Sequence, residues 1–159
     1  MEDRTHERNL GEARLDARYN QQLHALSARL YRRIRFAFAF ITLVSGTAAF
    51  SLLVRTDQAL GAWAGAVLAI IAIADTLLAP ADKSAEHGQW ARRFGQLLAR
   101  EDLQSLDEFD AALEQLRSEE MDAPESLGPI AYNRNVTSAG YESWQMPLTA
   151  WQRFLALLV

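Results

Sequence analysis

Residues 34–54 read IRFAFAFITLVSGTAAFSLLV, and residues 59–79 read ALGAWAGAVLAIIAIADTLLA. Each run has the length, about 20 residues, that a helix needs to cross the hydrocarbon of a bilayer. Each is too long for an ordinary buried core helix. Only residues 55–58 separate them, so the two helices are predicted to be antiparallel neighbours. The chain therefore reads as all-α. It has a two-span transmembrane helical hairpin at residues 34–79, a long N-terminal cytoplasmic helix at 1–33, and a cytoplasmic C-terminal helical bundle at 80–159.

Composition narrows the function. The 159 residues include no cysteine, which excludes disulfides, thiolate metal sites and a cysteine nucleophile. The net charge of −4 is unevenly spread. Residues 1–35 hold eight Arg against five acids, and residues 82–159 hold thirteen acids against seven Lys and Arg. No stretch has the basic, aromatic-interleaved character of a nucleic-acid surface, so duplex nucleic acid is not an expected partner. The first apolar run begins too far into the chain, and is too long, to be a cleaved signal peptide. Arg29, Arg32, Arg33 and Arg35 precede the first span, and Lys83, Arg92 and Arg93 follow the second. The connecting loop has only Arg55, beside Asp57. The positive-inside rule then puts both termini in the cytoplasm.

Around the hairpin, helical periods dominate. MEDRTHER (residues 1–8) is expected to fray. From about Asn9, a stripe of Leu15, Tyr19, Leu23, Leu26 and Leu30 predicts one face of a helix that continues unbroken into the membrane, since no Gly or Pro interrupts residues 12–44. The stripe must be covered by the later helices or by a second subunit, and a homo-oligomer is expected. In the second span, Gly61, Ala64 and Gly65 form a small-residue face suited to close helix packing, within the hairpin or between subunits. Pro80 should end or kink that span. A soluble helix at 82–100 follows, with Trp90, Phe94, Leu97 and Leu98 on one side. Ser105 and Glu108 then form a capping-box sequence for a helix carrying Phe109, Leu113 and Leu116 inward. Residues 128–141, rich in Asn, Gly, Ser and Thr, read as a loop or short irregular helix. A last short helix starts at Pro147, with Leu148, Trp151, Leu155 and Leu158 on one face. It is expected to dock on the bundle or to lie at the membrane interface. No strand pattern and no repeat is visible.

Catalysis has little to work with. His6, His24 and His87 are scattered, and no phosphate loop, nucleophile elbow or HExxH occurs. The carboxylates of 101–125 read as solvated helix faces. No catalytic residue, metal site or cofactor is expected, and the chain does not read as an enzyme. The charges in the apolar runs are more informative. Asp75 lies late in the second span, where a carboxylate is costly and the helix dipole disfavours it. In an antiparallel hairpin Arg35 sits at its depth. The two residues either pair or form a charged ring at the mouth of an oligomeric pore. Arg35, Ala39, Thr42, Ser45, Gly46 and Ala49 share one sector of the first span, a candidate wet face. Phe36, Phe40, Leu43, Val44 and Phe50 lie outside it and suit lipid. If the chain responds to a signal, the segment at 132–141 has the densest set of uncommitted polar groups. There Asn133, Arg134 and Asn135 are candidate trigger-binding residues, with Arg134 able to meet an anion. A solvated loop is the plainer reading.

The order of these features resembles the SLATT family of two-span bacterial membrane proteins. The matching residues are Tyr31-Arg32-Arg33 leading into the first span, and Asp75 late in the second. After the hairpin come Ala85-Glu86-His87 with Trp90, Phe94 and Leu97-Leu98, then Ser118-Glu119-Glu120, then Pro124-Glu125-Ser126-Leu127 leading to Asn133. The similarity covers about residues 19–135. It implies an oligomeric effector in the bacterial inner membrane, forming a pore that harms a phage-infected cell. The trigger would come from a nucleotide-synthesising or nucleotide-sensing partner, through a nucleotide second messenger or the sensor protein itself. Two other classes fit the residues: a non-conducting membrane adaptor, and a holin-like or exclusion protein of phage origin.

Overall fold

The computed structural model describes residues 8–159, without the side chains of Ala48, Ala49, Leu53 and Gln58. The expected fraying of residues 1–7, the position of His6 and the place of Ala49 on the wet face lie outside the described residues. Of the described residues 82% are helical, and no strand occurs among them. It divides into two compact units. One is Met1–Ala28, described from residue 8, together with Glu86–Val159; the other is Arg29–Ala85.

Seven helices carry the fold among the described residues: α1 (Leu10–Ser45), α2 (Ala48–Thr56), α3 (Gln58–Leu78), α4 (Pro80–Leu98), α5 (Leu106–Glu119), α6 (Gly128–Ser138) and α7 (Ala150–Leu158). Local chemistry sets their starts. Asn9 and Glu12 form a reciprocal capping box for α1: the Glu12 N–H donates to Asn9 Oδ1 (3.0 Å) and the Asn9 N–H to Glu12 Oε2 (3.1 Å). The Asp57 carboxylate accepts from the N–H groups of Ala59 and Leu60 and so starts α3. Ser105 caps α5 through the Glu108 N–H (3.3 Å), as its spacing predicts. Thr149 and Gln152 form a complete capping box for α7, two residues later than Pro147 suggested.

In the first unit, Phe94 and Leu97 of α4 and Phe109 and Leu113 of α5 close on Ala13 and Ala17 of α1. The central line of the buried face of α1 is Ala13, Ala17, Asn20, His24 and Ser27. The predicted leucine stripe is displaced from that line: Leu26 is buried, but Leu15, Tyr19, Leu23 and Leu30 are only half-buried flanks. Small side chains occupy the centre because the large rings on α4 and α5 fill it. The segment read as a loop or short irregular helix is mostly the helix α6, regular rather than irregular, with Ile130, Ala131 and Val136 buried. On α7, Leu155 turns inward as expected, whereas Trp151 is exposed beside Phe154, against the single docking face that the period suggested.

In the second unit the first apolar run is not one continuous helix. α1 ends at Ser45, and its axis and that of residues 50–56 differ by 62°. The Ser45 hydroxyl donates to the Thr42 carbonyl (2.7 Å). The Gly46 N–H is shared between the carbonyls of Thr42 and Leu43, and the Thr47 hydroxyl caps α2 through the Phe50 N–H. Hydroxyl side chains that bond the backbone locally compete with the helical ladder, and a glycine between them lets the chain turn. At the other break, Ala79 takes a left-handed φ of 41° before Pro80. Pro80 thus interrupts the second run, as expected. The Lys83 ammonium lies 5.4 Å from the centre of the Tyr31 ring, a pairing of the chain before the first apolar run with the chain after the second.

One helical stretch, Ala59–Leu98, which joins α3 and α4 across the break at Ala79, is long and apolar enough to cross a membrane, and the bent pair would be a second if it counts as one span. Its most apolar window has a mean hydropathy of 2.0 and is 0% buried within the chain. The side of α3 bearing Gly61, Ala64, Leu68 and Ile71 is half-buried, while Trp63, Val67, Ile70, Ile73 and Leu77 form an outward stripe. The two glycines of α3 differ accordingly. A Cβ on Gly61 would come within 2.9 Å of Val54 Cγ1, so this glycine permits the close approach of α2 and α3. A Cβ on Gly65 would meet nothing within 4 Å, so Gly65 does not pack inside the chain. Gly61→Leu is therefore expected to lower the thermal unfolding midpoint in detergent. Gly65→Leu should leave it within error, and equal losses from both would contradict this packing.

Candidate functional site

The residues singled out in the apolar runs are placed as follows. Arg35 and Asp75 are both exposed, and among the described residues no ion pair joins them. Asp75 contributes its backbone carbonyl to the end of α3, accepting from the Ala79 N–H at 3.0 Å. The Thr42 hydroxyl donates to the Phe38 carbonyl (2.9 Å), and Ser45 bonds as described above. Both hydroxyls are thus spent on their own helix, where they shape the bend. Gly61 and Ala64 lie on the half-buried side of α3, whereas Gly65 does not.

The proposed trigger residues are not an uncommitted polar set. Asn133 forms two bonds with Met146: its Nδ2 donates to the Met146 carbonyl and its Oδ1 accepts from the Met146 N–H, both at 2.8 Å. The Arg134 guanidinium donates to the Val159 carbonyl (3.1 Å). The Asn135 Nδ2 donates to the Leu15 carbonyl (2.9 Å), tying α6 to α1. These side chains anchor α6, the segment after it and α7. Sequence reading missed this because the partners at Leu15, Met146 and Val159 lie outside the segment, so its polar groups were taken as uncommitted.

The structure instead assembles a polar chain that the sequence did not reveal. His24 on α1 and His87 on α4 are 1% and 0% exposed, and their Nδ1 atoms are 2.9 Å apart. The Nε2 of His24 lies 3.3 Å from Glu120 Oε2, just past the end of α5. A carboxylate only accepts, so His24 bonds it through an Nε2–H. The short Nδ1–Nδ1 contact then has one ring donating its Nδ1–H and the other accepting. Phe94 stacks on His24 with ring centres 5.7 Å apart and a 14° tilt. Three separate elements are thereby linked by one hydrogen-bonded chain inside an otherwise apolar core. The buried Ser27 hydroxyl, one turn further along α1, donates to the Leu23 carbonyl (2.8 Å). Among the described residues no group of three or more His, Asp or Glu is arranged to hold a metal ion. The arrangement can fix helix register and share a proton. Its one trace in the sequence is that His24 falls four residues after Asn20 and three before Ser27, on the small-residue line rather than the leucine line.

The neighbouring Tyr19 belongs to the same electrostatic setting. Burial first, and then the Glu120 carboxylate, raise its phenol above the ordinary value of 10.0. The chain as a whole matches no family model, no curated protein and no solved structure.

Two tests follow. His24→Leu and His87→Leu should each destabilise the protein by about 1–3 kcal/mol, the cost of leaving the surviving ring unsatisfied. The double variant should lose clearly less than the sum, and strict additivity in chemical unfolding would mean the rings do not interact. For Tyr19, a raised folded-state value means that its contribution is fully present below the unfolded value near 10 and is lost as pH rises through the folded value. Unfolding free energy should therefore fall above pH ~10, and Tyr19→Phe should flatten that decline. An identical alkaline slope in both proteins would refute the assignment.

Proposed function

We propose that the chain is an oligomeric membrane effector whose apolar segments cross the bilayer twice, and whose assembly forms a pore or channel. The observation that carries this reading is the uncovered state of these segments. The apolar window of Ala59–Leu98 has none of its length buried, and charged Asp75 and Arg35 are exposed on the same unit without pairing to each other. An outward stripe such as Trp63, Ile70 and Leu77 suits lipid tails. A carboxylate at that depth does not, and is tolerated where it faces water or another protein. Several copies packed around an aqueous path provide lipid for one face and water for the other. A ring of Asp75 carboxylates at its mouth would concentrate cations.

The wider assignment rests on the SLATT resemblance. It comprises a bacterial inner-membrane location, both termini in the cytoplasm, a homo-oligomer, and activation during phage infection by a nucleotide signal or a sensor protein. A non-conducting adaptor is the second reading. It is favoured by the exposed aromatic face of Trp151 and Phe154, which a partner protein would cover. Purified protein in vesicles separates the two. The effector reading expects ion flux that Asp75→Asn reduces several-fold, with a shifted reversal potential and an unchanged unfolding midpoint. Absence of flux from a correctly inserted oligomer would leave the adaptor.

A further inference from the structure

Past Asp16, α1 carries no further acid, yet Arg29, Arg32 and Arg33 stand in it just before the first apolar run. At 3.6 residues per turn these three share one side of the helix with Phe36, Phe40 and Leu43. That face is basic for its first turn and apolar for the next two. The helix is unbroken over the stretch, and all six residues belong to the second unit. The rest of the chain leaves both halves open. Arg29 and Arg32 are exposed, and among the described residues neither enters a hydrogen bond or an ion pair. The acids of this unit, Asp57, Asp75 and Asp82, therefore leave both charges unmatched. Phe36 and Leu43 are each 73% exposed, and Phe40 is 58% exposed.

The two halves call for one molecule. A guanidinium stays charged at any physiological pH, and its paired N–H donors match the oxygens of a phosphate. Basic residues at the end of a membrane-entering helix meet anionic headgroups in the same way. Phe36 to Leu43 covers about 10 Å of helix axis, which fits within one leaflet of a ~30 Å hydrocarbon core. A soluble phosphate would leave the apolar half in water, and an uncharged lipid would leave the arginines without a counter-charge. We infer that this face of α1 binds an anionic phospholipid, with its phosphodiester on Arg29, Arg32 and Arg33 and an acyl chain along Phe36, Phe40 and Leu43. The inference rests on the reading that the apolar run lies in a bilayer, and not on whether the assembly conducts ions.

The test is native mass spectrometry of the full chain in detergent. It is titrated with phosphatidylglycerol, with phosphatidylcholine of the same acyl chains, and with glycerol phosphate as the headgroup alone. Phosphatidylglycerol is expected to bind at least fivefold more tightly than phosphatidylcholine, and glycerol phosphate not to bind at the same concentrations. Arg29→Gln combined with Arg32→Gln should abolish that preference while preserving the circular dichroism spectrum. Arg18→Gln removes another exposed charge eleven residues before Arg29 on the same helix, and should leave the preference intact. Carbonate washing of vesicles made from the two lipids separates this proposal from the reading beneath it. A chain that washes off overturns both. A chain that stays, but binds both lipids equally or is unaffected by the double variant, overturns the lipid site alone. An equal loss in Arg18→Gln would reduce the effect to net charge and overturn it too. So would binding of glycerol phosphate, which marks a soluble-phosphate site, or efficient disulfide crosslinking of Phe40→Cys, which puts a second copy on the face.

Discussion

The apolar segments at residues 34–79 hold more apolar surface than this chain covers. Trp63 is 74% exposed and Leu77 is 78% exposed, and the most apolar window of α3 has no buried part. Each large apolar side chain would gain about 1.5–3 kcal/mol from full removal from water. A row of them left in water is an unfavourable state that lipid or further protein relieves. The half-buried side of α3, by contrast, is small: Gly61 and Ala64 bring its backbone close to that of α2. The segment thus combines a tight internal contact with a broad outer surface that requires its own solvent.

The other unit follows a different logic, because it closes a core of its own. Alanines at the centre of the α1 face allow Phe94 and Phe109 to reach across, and the hydrogen-bonded chain of His87, His24 and Glu120 passes through the same interior. Apolar rings tolerate many relative positions, whereas two imidazole nitrogens 2.9 Å apart tolerate few. The histidine pair therefore selects one register of α1 against α4 from the several that hydrophobic packing alone permits. Asn135 acts in the same way between α6 and α1, as does Asn133 on the segment before α7. Polar residues that looked available for a signal serve as fixed joints.

Much of the helical layout was legible in the sequence because its causes are local. Apolar runs of spanning length, the helical period from about Asn9, the cap at Ser105 and the stop at Pro80 act within a few residues, and the structure shows helices bounded near those points. The turn at Ser45-Gly46-Thr47 was equally local yet was overlooked. Ser45 was read as part of a wet face, and not as a competitor for a backbone carbonyl.

The sequence by itself determined that the chain is helical, that one long apolar helix is fit to cross a membrane, and that its charges are segregated. Periodicity and composition suffice for these, since each is a property of neighbours along the chain. Only the tertiary structure decided which polar groups meet. His24 and His87 are separated by 63 positions, and Leu15 and Asn135 by 120. Spacing within a helix cannot foretell such encounters, because they depend on how one helix rotates and slides against another. Volume matching of alanine to phenylalanine sets that geometry, and the buried hydrogen bonds lock it.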